Sequence, residues 1–412
     1  MGIKKNNNHK NKREAVTVLF GYITSIIFSL GLLLLVMCGC SSIEQLSLSP
    51  VLVDQDATIE TKALFYNLRQ LSQHHTLFGH QDTMAYGVYW RNSFSGRSDV
   101  KEVTGAYPAV YGWDLGNLEL TGVSNLDNID FQDMKRWIRE SYERGGVITI
   151  SWHMSNPVTG GNAWDTEHGN AVAEILPGGK YHHKYRYWLT LFADFNSDLV
   201  AFPGTDQEHL IPIVFRPFHE HNKNWFWWGK GHCSEEQFIA LWQYTVNFLI
   251  LEKEVHNLLW AISPSEVYTA DEYLERYPGD AYVDIMGLND YKSFQKPYAI
   301  ETAIKRVHMV VSLAETREKI AALTETGYEM IPDPTWWTGT LLNVLDHDQL
   351  TRKLAWVLVW RNANALEDRP NHYYVPYPGH PSANDFIEFY TYPLILFEDG
   401  LTDLYNRQVI EK

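Results

Sequence analysis

Eight short, nearly unbroken apolar runs recur between residues 75 and 361, and amphipathic stretches separate most of them. They cover residues 76–80, 109–114, 146–153, 211–220, 257–264, 283–291, 320–327 and 355–361. Continuous apolar runs of this length are what strands buried on both faces require. The clearest helix lies between the fourth and fifth runs. There Ser234 and Gln237 form a capping-box pair, and Phe238, Leu241, Trp242, Thr245, Val246 and Leu249 follow at helical spacing. Residues 128–144 and 301–319 read as helices on the same grounds. Eight strands alternating with helices predict an α/β fold, a single (β/α)8 TIM barrel with its active site at the C-terminal ends of the strands. A doubly wound open sheet would bring a glycine-rich phosphate turn after its first strand, and Gly79-His80-Gln81-Asp82 is not one.

The front of the chain reads differently. Basic residues Lys4 to Arg13 precede Val16 to Met37, an uncharged stretch that ends at Cys38-Gly39-Cys40-Ser41-Ser42. A basic start, an apolar core and small residues at its end make a secretory signal. The stretch is long enough for an uncleaved membrane anchor. Its cysteine gives it a closer resemblance to a bacterial lipoprotein signal, cut before Cys40, which then carries lipid. Gly39 supplies the small residue expected before the cut, and Met37 departs from the usual Leu. The chain is therefore divided into a signal segment (1–40), an N-terminal extension and lead-in (41–74) and the catalytic barrel (75–412). The expected location is the bacterial cell envelope, lipid-anchored to a membrane. Only Cys233 remains beyond the signal, so the barrel has neither an internal disulfide nor a cysteine-based zinc site.

Charge narrows the partners. Residues 1–40 hold five bases and one acid, so the formal −16 of the chain becomes −20 for the remainder. Such a body repels phosphate backbones and polyanionic polymers, which argues against nucleic acid and leaves neutral substrates. The 15 Trp, 24 Tyr and 18 Phe exceed what packing alone calls for, and aromatic surplus often lines sites that stack on the apolar faces of sugar rings.

Polar residues gather where the runs end: His80, Asp114, His153, His219 with Glu220, Asn289 to Tyr291, Glu325, and Trp360 with Arg361. In a barrel these ends share one face. Two carboxylates there, Glu220 after the fourth strand and Glu325 in the seventh, suit retaining glycoside hydrolysis. One is general acid and then base, the other attacks the anomeric carbon, and the carboxyls lie roughly 5–5.5 Å apart. The acid needs a raised pKa, and the nucleophile needs donors that favour its charge, such as His219 or Tyr291. His219 and His221 alternate as metal ligands do, but no third ligand accompanies them, so neither metal nor cofactor is expected. Trp227, Trp228, Trp336 and Trp337 are divided between packing and the cleft, His182-His183 reads as a solvated loop, and the long glycine- and proline-bearing loop 154–184 is expected to wall one end of the cleft.

Arg216-Pro-Phe-His-Glu-His followed by Asn224-Trp-Phe-Trp-Trp resembles the acid/base motif of glycoside hydrolase family 26, which consists mainly of β-mannanases with the (β/α)8 fold. The resemblance continues through Phe78-Gly-His-Gln, Ser151-Trp-His, Thr324-Glu-Thr-Gly and Trp360-Arg-Asn, and covers about residues 75–395. It implies Glu220 as acid/base and Glu325 as nucleophile. It further implies His219 hydrogen-bonded near the nucleophile, His153 and Tyr291 contacting the sugar at the cleavage point, and His80 among the substrate-binding residues. Trp225 would stack beyond the cleaved bond, and Trp360 and Arg361 would bind sugars on the non-reducing side. The family often carries Asp two residues before the Tyr, where this chain has Asn289 followed by Asp290. The implied activity is cleavage of β-1,4-mannosidic linkages in neutral mannan-type polysaccharides. A β-1,3-xylanase, a mixed-linkage glucanase, a catalytically silent glycan-binding protein and a metal-dependent barrel hydrolase are the competing readings.

Overall fold

Each of the eight runs contains a strand of one closed barrel: β1 Thr76–Gln81, β2 Val110–Asp114, β3 Val147–Trp152, β4 Ile213–Pro217, β5 Leu258–Ile262, β6 Ile285–Asn289, β7 Ile320–Thr326 and β8 Trp356–Val359. The structure is a computed structural model, and it describes residues 52–91, 96–365 and 369–406. Neighbouring strands pair in parallel from β1 to β8, and β8 closes on β1 with Leu77 opposite Trp356 and His80 opposite Val359. Every residue of the eight strands is buried, which explains why the sequence shows continuous apolar runs rather than alternation.

The signal segment and Cys40 lie outside the described residues. The part of the expected lead-in that is described contributes directly to the core. Helix α1 (Ile59–Leu71) starts at Thr58, whose hydroxyl caps the Thr61 amide, and buries Leu64, Phe65 and Leu68. These residues pack with Leu77, Val110, Val147, Val214, Leu259 and Ile285, which come from six different strands. Among the described residues, no helix is long and apolar enough to cross a membrane.

The outer helices α2 (Asp99–Thr104), α3 (Phe131–Glu143), α4 (His182–Ser197), α5 (Glu235–Asn247), α6 (Ile300–Thr316) and α7 (Ala383–Tyr390) surround the sheet. The capping box at the start of α5 forms as expected, with the Gln237 amide donating to Ser234 Oγ and the Ser234 amide donating to Gln237 Oε1. His182 and His183 open α4 rather than lying in a solvated loop, and His182 Nδ1 pairs with the Ile175 carbonyl. Trp227, Trp228, Trp336 and Trp337 are all packing residues, buried to 1% exposure or less. Their indoles tie loops down where they can: Trp227 Nε1 donates to the Met154 carbonyl and Trp228 Nε1 to the His219 carbonyl.

Two local irregularities re-aim side chains at the C-terminal face. β7 slips against β6 so that Leu288 faces Leu323 but Asn289 faces Glu325, leaving Thr324 as an extra residue. A bulge of this kind turns the side chains that follow it. After β4 the chain adopts left-handed conformations at Phe218 (φ 51°) and Glu220 (φ 55°), and the Glu220 amide donates to the Ser263 carbonyl beyond β5. Non-glycine residues held there cost about 1–3 kcal/mol each and concentrate at functional sites.

Candidate active site

Glu325 is nearly buried on the bulged end of β7, where two donors hold it. Arg216, in the body of β4, forms an ion pair with Glu325 Oε1, and the Tyr291 hydroxyl donates to Oε2 at 3.0 Å. Charge-assisted contacts of this kind are shorter and stronger than those between neutral groups. Of the two donors expected for this group, Tyr291 is in place. The hydrogen bond of His219 goes instead to His153, at 3.1 Å between their Nε2 atoms.

Glu220 meets only neutral donors. Asn289 Nδ2 donates to Oε1 at 3.1 Å and Trp225 Nε1 to Oε2 at 2.7 Å. Burial, and then the negative charge of Glu325, push its carboxyl up to about 7 against those two hydrogen bonds. A neighbouring negative charge and burial both disfavour ionising Glu220.

Asn289 and Asp290, adjacent in sequence, face different ways. Asn289 receives the Thr324 hydroxyl on Oδ1 and reaches Glu220 with Nδ2, so it bridges the two carboxylate-bearing strand ends. Asp290 is fully buried in an ion pair with Arg306 of α6 at 2.8 Å, and accepts the Ser293 amide. The pair Asn289-Asp290 therefore puts a neutral amide against Glu220, and the neighbouring carboxylate serves the scaffold.

The histidines form an ordered chain. Asp114, at the end of β2, accepts His153 Nδ1–H at 2.8 Å, Ser151 Oγ–H at 2.6 Å and the Gly116 amide at 2.8 Å. Burial disfavours charge on His153, yet the Asp114 charge and hydrogen bond raise its pKa, and Asp114 falls to about 2 although burial opposes it. Burial, followed by the His153 charge, holds His219 well below the ordinary imidazole range. His80, buried at the end of β1, is driven down to about 3 chiefly by burial. His221 points elsewhere, stacked on Phe238 at 4.4 Å. Among the described residues no group of three or more His, Cys, Asp or Glu is placed to hold a metal ion.

Around this centre the aromatic and charged walls differ. Trp164, on the long loop after β3, stacks on His153 at 5.0 Å with planes 19° apart, lies 5.5 Å from Phe226 and is 47% exposed. Nothing in the spacing of that loop singled Trp164 out. Trp360 meets His153 edge-on at 6.4 Å, its amide bonded to the Thr326 carbonyl. Arg361 pairs with Asp127 at 2.8 Å, and its guanidinium lies 5.7 Å from the centre of the Tyr86 ring. The Tyr86 hydroxyl donates to Asp82 at 2.6 Å, and burial, then the Asp127 charge, raises Asp82 to about 8. All the residues singled out from the described sequence therefore lie at the C-terminal strand ends or on the loops that leave them. Arg216, Asp127 and Trp164 join them.

The model of glycosyl hydrolase family 26 matches residues 53–339. The chain belongs to family 26. A mannan endo-1,4-β-mannosidase of Bifidobacterium adolescentis is 39% identical over 291 residues, which make up 66% of this chain but 27% of that relative's length. This family 26 chain therefore spans about a quarter of that relative. Among solved structures, the family 26 β-mannanase BoMan26A of Bacteroides ovatus is 46% identical with a TM-score of 0.79, covering 85% of this chain and 98% of its own. The catalytic domain of an endo-β-1,4-mannanase of Bacillus sp. JAMB-750 is 34% identical with a TM-score of 0.78, covering 87% and 96%.

The charge on His153 depends on Asp114. Asp114→Asn removes the carboxylate while keeping a hydrogen-bonding side chain, so the His153 imidazole should titrate at lower pH than in the parent. Histidine-resolved NMR titration measures this, and an unmoved His153 resonance would overturn the ordering of the two histidines.

Proposed function

We propose that this family 26 protein hydrolyses β-1,4-mannosidic linkages in mannan, galactomannan or glucomannan with retention of configuration. The observation that carries this reading is the unlike setting of the two carboxylates. Glu325 is held by a guanidinium and a phenol, while Glu220 is raised to about 7 beside neutral donors. The names of the mannanase relatives support the choice of substrate.

In the first step Glu325 attacks the anomeric carbon and the glycosidic C–O bond breaks. Glu220 gives its proton to the departing oxygen, leaving a glycosyl ester on Glu325. Asn289 and Trp225 each occupy one Glu220 oxygen as donors, and each oxygen keeps a lone pair on which the proton can sit. In the second step Glu220, now ionised, takes a proton from water as its oxygen attacks the anomeric carbon, and Glu325 leaves as the carboxylate. His80, His153, His219 and Tyr291 bind the sugar at the cleavage point, Trp225 the sugar beyond it, and Trp360 and Arg361 those on the non-reducing side.

The two glutamates should respond differently to removal. Glu325→Ala abolishes turnover of every substrate, because no other group forms the ester. Glu220→Ala suppresses release of mannan products by a factor on the order of 10²–10⁴, but spares the first step with a good aryl leaving group. Equal loss on both substrates from a folded Glu220→Ala protein sinks the assignment. Product release from β-1,3-xylan or mixed-linkage β-glucan in preference to β-mannan would move the substrate class.

Because the acid works in its protonated form, kcat/KM should fall as pH rises through about 7. Asn289 stabilises the ionised form of Glu220, so Asn289→Ala should move that falling limb to higher pH. A limb that stays put or moves down contradicts the proposed role of Asn289.

We further propose that the protein is held at the bacterial envelope through lipid on Cys40, on the strength of the signal-like run that precedes it. The expected mature chain begins at Cys40 and carries acyl chains. An intact mass that retains residues 1–39 would count against this in favour of an uncleaved anchor.

A further inference from the structure

Beyond Arg361, the rim between β1 and β8 carries aromatic rings that the proposed reaction does not use. Tyr89 sits at the tip of a hairpin formed by Tyr86–Gly87 and Trp90–Arg91, and is 59% exposed. Its ring meets Tyr377 edge-on, with centroids 5.0 Å apart. Tyr377 in turn meets Tyr373 at 5.6 Å and His380 at 5.3 Å.

A single exposed tyrosine needs no explanation, but this one is fixed from both sides. The Val88 amide and Trp90 Nε1 donate to the two carboxylate oxygens of Asp99, at 2.8 and 2.7 Å. The Ala365 amide donates to the Val88 carbonyl at 2.8 Å. Asn362 Nδ2 donates to the same Asp99 at 2.7 Å, while its Oδ1 accepts the amides of Tyr374 and Val375. Hairpin and post-β8 segment are therefore locked onto one buried Asp99–Asn362 pair.

Asn362 directly follows Arg361, and Tyr86 at the foot of the hairpin lies under the Arg361 guanidinium. The tyrosine pair thus continues outward from the side chains assigned to the non-reducing-side sugars. A tyrosine offers a sugar ring an apolar face together with a polar edge. Because these rings are already held in place, little conformational freedom is left to lose on binding.

We propose that Tyr89 and Tyr377 form a distal stacking platform that takes a further unit of a neutral β-linked polysaccharide chain, beyond the sugar at Arg361. The platform rests on the reading of this chain as a mannan hydrolase. It makes the enzyme favour long chains over short oligosaccharides.

The test compares the parent with Tyr89→Ala, Tyr377→Ala and Tyr89→Phe on manno-oligosaccharides of increasing length. Both alanine variants should lower the ratio of kcat/KM on long substrates to that on the shortest cleaved substrate, by a factor on the order of five or more. Tyr89→Phe, which keeps the ring, should preserve the ratio. Equal loss at every length indicates a merely structural role and overturns the platform, as does an unchanged ratio in both alanine variants. If the parent cleaves no mannan, the hydrolytic reading fails by itself. Retardation in gels containing β-mannan or mixed-linkage β-glucan then decides the platform: weaker retardation of the alanine variants sustains it, and retardation equal to the parent's, or absent in the parent, removes it.

Discussion

The buried contact between Arg216 and Glu325 ties β4 to β7 across the mouth of the barrel, with β5 and β6 between them. Neither side chain has water to fall back on, since they are 3% and 6% exposed. Removing either partner leaves the other charge uncompensated in the core, at about 3–5 kcal/mol for a typical buried pair. The pair therefore demands a closed barrel of one circumference, in which two strands meet at their C-terminal ends. The bulge at Thr324 belongs to the same requirement, because it shifts Glu325 into register with Asn289.

From this constraint the unlike settings of the two carboxylates follow. The one guanidinium bonded to either carboxylate goes to Glu325, and Glu220 receives an amide and an indole. Neutral donors soften, but do not cancel, the cost of ionising a carboxyl beside another negative charge. An Asp at position 289 would have set a third carboxylate against Glu220. The amide found there supplies a donor without that repulsion, and the carboxylate at 290 is neutralised by Arg306 on the outer side.

The fold was legible in the sequence because both faces of every barrel strand are buried. Continuous apolar runs therefore marked all eight strands, each within about three residues of its ends. The site was legible where its residues terminate those runs, as Glu220, His153 and Trp360 do. It was not legible where tertiary context decides. Trp164 lies in an aperiodic loop, so only the folded chain brings it onto His153. Arg216 stands inside an apolar run, and nothing local says that its partner is 109 residues away. Asp127 is one acid among 50 Asp and Glu until Arg361 is seen against it. The register slip that places Glu325 leaves no mark on composition or spacing.

On the proposed reading, the two sides of the site offer a chain different contacts. Toward Arg361 the wall is a buried polar assembly of Arg361, Asp127, Asp82 and Tyr86, whose hydrogen-bonding groups lose much if left unmatched. Trp225 offers a ring on the other side, as Trp360 does toward Arg361, so what sets the two sides apart is the polar assembly. In a two-step displacement this asymmetry has a consequence. On the proposed reading, the portion bonded to Glu325 is held in register while water replaces the leaving chain, and directional polar contacts do that. The portion that departs must not be held so tightly that its release limits turnover. Binding energy concentrated on the retained side therefore serves the reaction through both steps, whereas the same energy on the departing side would be lost with the product.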